Sequence, residues 1–373
     1  MRIIYLSEYL RMLLRRIKIV FSGIRHYEGD ALAIGRQVID DCYNREKKYF
    51  MVSPGNYCEF YARDFGWCVE SLLSLGERDR VINTLSYALA IFEKHGRIEQ
   101  TINPSGKPFT FPDAQFSDAL PFLVHSLRLT HAGNLIKKHR NFLNREIMRY
   151  FDGVIDGGTG LVRRDVHISS MKDYALRQSS CYDNSLIGML ANDISALSAS
   201  GLVNPFKKYD YTLLLIRHFW TGKYFLDDLS GAKTICGDAN TMPFWTGVIR
   251  DKKILLKVMK AVQKEGLDRP FPLKYTSGRF KEQKMIATEF LAGNYERDAV
   301  WAHAGLMYIK VVAEADKALA KGYLAEYERQ MLRHKNFLEV YDRSGKPFKT
   351  IAYYTDESML WAANYLSLRK LLS

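Results

Sequence analysis

Acidic side chains stand beside flat aromatic rings at six places along this chain of 373 residues. Arg63, Asp64 and Trp67 share CEFYARDFGWCVE, Gln115 and Asp118 share FTFPDAQFSDALPF, and Asp183 and Asn184 share QSSCYDNSLIG. Farther on, Asp238, Asn240 and Trp245 share TICGDANTMPFWTG. Tyr295, Arg297, Trp301 and His303 share GNYERDAVWAHAG, and Glu339 stands in NFLEVYD. Sugars need this mixture: flat rings under their C–H faces, and planar carboxylates, amides or guanidinium groups for vicinal hydroxyls. Two carboxyl groups can then supply acid and base on either side of a glycosidic bond.

Each carboxylate also has a local reading. Asp64, Asp118 and Asp183 precede or open apolar-periodic runs, where an Asp side chain caps a helix by accepting from its first N–H groups. Glu339 falls at the end of a helix expected over 315–337. A carboxylate there opposes the helix macrodipole, a local cost of the kind sequences carry at functional sites. Glu357, the competing carboxylate, sits in Thr355-Asp356-Glu357, which reads as a helix-start cluster. The recurrence of the same pairing along the chain is what separates sugar chemistry from a series of unrelated caps.

The elements that must position these residues are helices. Apolar positions recur at helical spacing over about 3–22, 30–43, 66–75, 78–95, 116–130, 134–150, 183–199, 208–219, 240–249, 251–265, 298–313, 315–337 and 355–371. In VINTLSYALAIFEKHG (81–96), Val81, Leu85, Ala88, Leu89 and Phe92 share a face, and Gly96 is placed to stop the helix. Polar stretches with Gly, such as GKYFLDDLSGAKTI (222–235), read as short β-hairpins in the loops. The segment SGKPF occurs twice, at 105–109 and 344–348, each time as a turn signal. The eight alternating β-rich runs of a TIM barrel are absent, as are GxGxxG and GxxxxGK[ST]. The succession predicts an all-α, closed array of paired helices.

The 54 Lys and Arg against 41 Asp and Glu give a formal charge of +13. That balance raises the question of an anionic partner, but the basic residues are scattered and lack the aromatic interleaving of nucleic-acid readers. Five cysteines, with no CxxC pair and no HExxH, argue against a zinc site and suit a reducing, cytoplasmic setting. Residues 1–22 form a basic amphipathic helix, interrupted too often by charge to span a bilayer. It is expected either to pack on the body of the protein or to make peripheral contact with an anionic membrane. Oligomeric state has no signature in the chain.

The clusters resemble, in the same order, segments of the inverting α-glycosidases with an (α/α)6 barrel: trehalases, the processing α-glucosidase I family, and mannosylglycerate or glucosylglycerate hydrolases. YARDFGW resembles their first sugar-binding segment, and SSCYDNSL the ESGxDNSPR motif whose Asp is the general acid. NYERDAVWAH is similar to YxRGPxW, and FLEVYD to the E-x-Y segment holding the general base. The resemblance spans about 57–366. Leu186-Ile187 replace the family's Pro-Arg, Asp298-Ala299-Val300 stand before Trp301 in place of Gly-Pro, and Ser179 replaces the opening Glu.

The resemblance implies one (α/α)6 domain over 1–373, with 1–25 as its basic N-terminal helix. It implies an inverting hydrolase of an α-linked glucoside or mannoside that needs no metal or cofactor. Asp183 would be the acid, its pKa raised by burial or a nearby carboxylate, and Glu339 the base, roughly 6.5–9.5 Å away. Arg63 and Asp64 would clamp the non-reducing sugar. Gln115, Asp118, Asn184, Asp238 and Tyr295 would be further polar contacts, and Trp67, Trp245 and Trp301 the apolar walls. Other readings are a sugar epimerase, which would use paired histidines where only His303 stands in a cluster, and a glycoside phosphorylase, which would lack the base. A non-catalytic carbohydrate-binding or scaffold protein is the third.

Overall fold

Two kinds of helix alternate along the chain, and the distribution of apolar surface decides where each goes. The structure, a computed structural model, describes residues 3–111, 115–166, 168–169, 171–278, 293–351 and 353–373. Among them are α1 (Ile3–Ser22), α2 (Ala31–Asp41), α3 (Ala62–Ser74), α4 (Arg78–His95), α5 (Ala119–Leu129), α6 (Gly133–Val154) and α7 (Cys181–Ala196). They continue with α8 (Tyr211–Phe219), α9 (Met242–Trp245), α10 (Lys252–Glu265), α11 (Ala302–Ala313), α12 (Lys317–His334) and α13 (Ala362–Leu372). In α5, α7 and α11 nearly every side chain is buried, whereas α4 and α10 bury a single stripe, Leu255, Val258, Met259 and Val262 in the latter. A helix apolar all round goes inside, and one with a stripe goes outside it.

The inner helices close on themselves. α3 packs on α5, α5 on α7, α7 on α9, α9 on α11, α11 on α13, and α13 back on α3. Outside this ring α4 lies against α3, α6 against α5, α8 against α7, α12 against α11, and α2 against α13. The result is the all-α (α/α)6 toroid that the sequence predicts. Gly66 lets α3 approach α5, since a Cβ there would lie 2.7 Å from that of Phe122.

Short strands join the helices: β1 (Tyr43–Asn44) with β2 (Tyr49–Phe50), β3 (Phe60–Tyr61) with β4 (Thr101–Ile102) and β5 (Pro108–Phe109), β6 (Phe116–Ser117) with β7 (Ile168–Ser169), and β8 (Val300–Trp301) with β9 (Val340–Tyr341). Both SGKPF segments fold identically. Asn103 Oδ1 accepts the Ser105 N–H (3.1 Å) and Lys107 N–H (2.9 Å); Asp342 Oδ1 accepts the Ser344 N–H (2.8 Å) and Lys346 N–H (3.1 Å). Gly106 and Gly345 both take φ of 81°, the left-handed conformation that glycine adopts without strain. The 222–235 stretch makes only isolated bridges, Trp220 with Phe225 and Leu226 with Ile235.

Two of the helix ends that differ from expectation bear on the site. α12 stops at His334, with Lys335 left-handed at φ 49°, so Glu339 lies at the entrance to β9 rather than at a helix end. The last helix starts at Ala362 and not near 355. Thr355-Asp356-Glu357 is held extended because Glu339 N–H donates to Asp356 O (3.0 Å) and Val340 N–H to Thr355 Oγ1 (2.9 Å). No helix among the described residues is long and apolar enough to cross a membrane.

Candidate active site

The N-terminal ends of α3, α11 and α13 and the loops beside them enclose a cavity of about 530 Å³, within the usual range of small-molecule sites. Its wall takes Arg63, Asp64 and Trp67 from the first turns of α3, Trp301 and His303 from the start of α11, and Trp361 from just before α13. The two SGKPF turns each send their phenylalanine, Phe109 and Phe348, to the same wall.

Glu339 lies on this wall with 2% of its surface exposed. Tyr295 OH donates to Oε1 at 2.6 Å, Tyr353 OH donates to Oε2, and the Asp356 N–H donates to Oε2 at 2.9 Å. Tyr57 OH stands 3.4 Å from that of Tyr295 and 3.3 Å from that of Tyr353, completing a cage of phenols. The Tyr57 loop is itself tied down by the Asp356 carboxylate, which accepts from Asn56 N–H (2.9 Å) and Tyr57 N–H (3.3 Å). Burial, then the Asp356 carboxylate, push Glu339 up to about 7, while its hydrogen bonds pull it down. A carboxyl group so placed is tuned to take a proton near neutral pH.

A second part of the wall is built around Arg63. Its guanidinium lies 3.7 Å from Asp64, 3.7 Å from Asp118 and 3.8 Å from Asp173, and 5.4 Å over the Trp67 ring. These are ion-pair distances, too long for hydrogen bonds, and neither Nε nor Nη1 has a hydrogen-bond partner among the described residues. Burial, opposed by Arg63, pushes Asp64 up to about 6 and Asp118 to about 7. Glu296 accepts the N–H groups of Asp173 (2.7 Å) and Tyr174 (2.8 Å), and burial, then the Asp173 carboxylate, raise it as well. Burial outweighs the Arg63 charge at Asp64 and Asp118, and it raises Glu296 too, so carboxyl groups on this wall hold protons toward neutral pH. Trp67 stacks on His303 at 4.5 Å, and burial, then Arg63, hold that imidazole well below the usual histidine range.

Of the residues expected from the sequence, Glu339, Arg63, Asp64, Trp67, Tyr295 and Trp301 line the cavity, and six do not. Asp183 belongs to the first turn of α7. Ser180 caps that helix by accepting the Asp183 N–H (3.0 Å), and its hydroxyl donates to Asp183 Oδ2 (2.6 Å). Burial pushes Asp183 up to about 6 against the pull of Arg177. Asp118 is fully buried behind Arg63 and accepts from Tyr182 OH at 3.0 Å. Asn184 is a tie, its Oδ1 accepting the Val162 N–H (3.0 Å) and its Nδ2 donating to Ser180 O (2.7 Å). Asp238 is paired with Lys172 and Arg177, both at 2.9 Å. Trp245 lines a separate small hollow beside His125, and Gln115 is exposed. Glu357 accepts the Arg25 N–H at 2.7 Å, away from the cavity.

Sequence reasoning missed Tyr57, Asp173, Glu296, Tyr353 and Trp361. Glu296 stands between Tyr295 and Arg297 in a segment already singled out, so its type and place were visible. Asp173 left no signal, because it meets Glu296 across 123 positions of chain.

No protein-family model matches the chain, and no characterised protein matches it in sequence. Solved structures do. A wild-type glycosidase superposes with a TM-score of 0.65 at 12% identity, over 98% of both chains. The GH63 mannosylglycerate hydrolase of Thermus thermophilus, in complex with glucose, matches with 0.61 at 12%, over 90% of this chain and 98% of its own. A GH78 rhamnosidase of a Bacillus species matches with 0.61 at 14%, over 91% of this chain and 34% of its own. The ring of six inner helices, closed through α13 and α3, is thus the six-hairpin glycosidase fold.

Proposed function

We propose that the protein is a glycoside hydrolase that releases the terminal sugar of an α-linked glucoside or mannoside with inversion, with Glu339 as the base. The observation that carries this is the Glu339 carboxylate, held by two phenols and an N–H on the wall of a cavity lined with aromatic rings. Supporting it, the glucose-bound structures among the structural neighbours include the mannosylglycerate hydrolase and a glycosidase variant.

Glu339 draws a proton from water as that water attacks the anomeric carbon. Tyr295 and Tyr353 aim its two oxygens and limit its motion. The wall around Arg63 supplies the proton to the leaving oxygen: Asp173, its side chain 27% exposed, stands beside Glu296, whose carboxyl group burial and the Asp173 charge push up. Arg63, whose Nε and Nη1 have no hydrogen-bond partner among the described residues, and the Trp67 and Trp301 rings receive the sugar.

A second reading keeps Asp183 as the acid. Among the neighbours are two glycosidase variants, each with a glutamate replaced by alanine, whose positions differ by 157, against 156 between Asp183 and Glu339. Asp183 would then have to reach the substrate past Asp118 and Arg63. Leaving groups distinguish the two. A variant lacking the acid loses activity on alkyl glycosides but keeps it on dinitrophenyl glycosides, which need no protonation. Asp173→Asn and Asp183→Asn are each assayed on both, and the acid is the one whose loss the activated substrate rescues. NMR of the first anomer released tests inversion: β from an α-linkage is expected, and α would remove Glu339 as base. Full turnover in Glu339→Gln would end the hydrolase reading.

A further inference from the structure

α1 turns Arg11, Arg15 and Arg16 inward and its apolar stripe outward. Arg11 pairs with Glu59 and donates to Cys58 Sγ at 2.9 Å. One turn on, Arg15 meets Asp356 at 3.1 Å and Glu357 at 3.5 Å, and Arg16 lies 5.8 Å over the Tyr354 ring. Arg11, Met12 and Leu13 thereby roof the cavity. The opposite face carries Leu10, Leu14, Ile17, Val20 and Phe21, between 48% and 83% exposed. A separate part of the chain adds to it: Ile351 is wholly exposed, in the loop between Thr350, which lines the cavity, and Tyr354, which lies under Arg16.

A helix held by burial alone turns its apolar stripe toward the protein, because burying that stripe is the driving term. Here charge pairing holds α1 in the reverse orientation, and the stripe faces away around the cavity mouth. We propose that this face docks on an anionic lipid bilayer. It follows, resting on the hydrolase reading above, that the cavity takes glycosides with an apolar aglycone from the lipid surface.

Charge argues for the bilayer over a second copy of the chain. The net charge is +13, and exposed Lys18 and Lys349 flank the stripe and Ile351. This attracts anionic headgroups and repels a like-charged molecule. Leucines and a phenylalanine on one face, with cations beside them, are the composition of helices that lie in the headgroup layer. Beneath the roof, Met12, Leu13, Phe109, Phe111 and Phe348 give an aglycone an apolar path.

The test uses the full chain with vesicles of phosphatidylglycerol and phosphatidylcholine, and with phosphatidylcholine alone. Wild type should co-sediment with the anionic vesicles, and a Leu14→Glu, Ile17→Glu, Phe21→Glu variant should lose at least tenfold in binding while melting at the same temperature. No binding by wild type, or equal binding by the variant, overturns the proposal. So does a wild-type dimer that the variant splits while neither form binds vesicles. An octyl or dodecyl glucoside presented in vesicles should be cleaved several-fold faster by wild type than by the variant, with equal rates on a soluble disaccharide. Equal rates on both substrates overturn membrane delivery. Vesicle binding with no cleavage of either substrate sinks the hydrolase reading and leaves the docking face standing.

Discussion

Two clusters of buried charge meet at the same end of the ring and are built to opposite ends. Lys172 and Arg177 each contact both Asp227 and Asp238, at 2.9–3.4 Å, two cations against two carboxylates. Arg63 faces three carboxylates at 3.7–3.8 Å and hydrogen-bonds to none through Nε or Nη1. The first cluster is short-bonded and off the cavity; the second is loosely paired and opens on it. Asp227, Cys236 and Asp238 even place ligand atoms within 4.8 Å of one another, as a metal would need, but the Lys172 ammonium lies at 3.0 and 2.9 Å from the two carboxylates, where a cation would sit. Short-bonded buried charge holds structure, whereas loosely paired carboxyl groups on a cavity wall bind their protons more tightly.

The comparison breaks most sharply if activity follows the wrong cluster. Glu339→Gln should lower kcat/KM by about 10²–10⁴-fold on an alkyl glycoside, the scale of losing a general base, with the circular dichroism spectrum unchanged. Lys172→Met should instead cost about 3–5 kcal/mol of stability, read by urea denaturation, because it leaves two buried carboxylates to Arg177 alone. A stable Lys172→Met protein with lost activity would assign that cluster to catalysis. Tyr353→Phe, removing one phenol from the Glu339 cage, should reduce kcat about tenfold with little change in KM, measured by steady-state kinetics.

The smallest effect is on pH, and its sign is set by the direction of the shifts. Glu339, Asp64 and Asp118 bind protons more tightly folded than unfolded, with folded values of about 7, 6 and 7. Between the ordinary carboxylate range and about pH 7 the folded state therefore holds more protons, and stability falls as pH rises through that window. Thermal melts at pH 5 and pH 8 should show the lower Tm at pH 8. Glu339→Gln should flatten that fall, since it removes an unfavourable buried charge. Activity should rise through about pH 7 as Glu339 ionises, then fall as Glu296, raised by burial and the Asp173 charge, loses its proton; a profile flat from pH 5 to 9 would contradict both assignments.

Helix periodicity showed nearly all the helices, and YARDFGW, NYERDAVWAH and FLEVYD yielded Arg63, Asp64, Trp67, Tyr295, Trp301 and Glu339 on one cavity. Where expected residues lie off the cavity, capping and catalysis are written in the same letters. Asp183 and Asp118 open helices as Asp64 does, yet only Asp64 lines the cavity. Asp238 reads as a sugar contact in sequence because Lys172 and Arg177, its partners in the fold, stand 66 and 61 positions away.

By itself the sequence determined what is local: helix period, the two matching SGKPF turns, the charge balance and the residue types within each cluster. These depend on neighbours a few positions apart, whose interactions hold in any fold. Tertiary structure alone decided which carboxylates share a cavity, that Glu339 is caged by phenols 44 and 14 residues away, and that α1 faces Arg11 and Arg15 inward. Ring closure sets those meetings. The energies that shift a buried carboxyl group come from desolvation and from charges far along the chain.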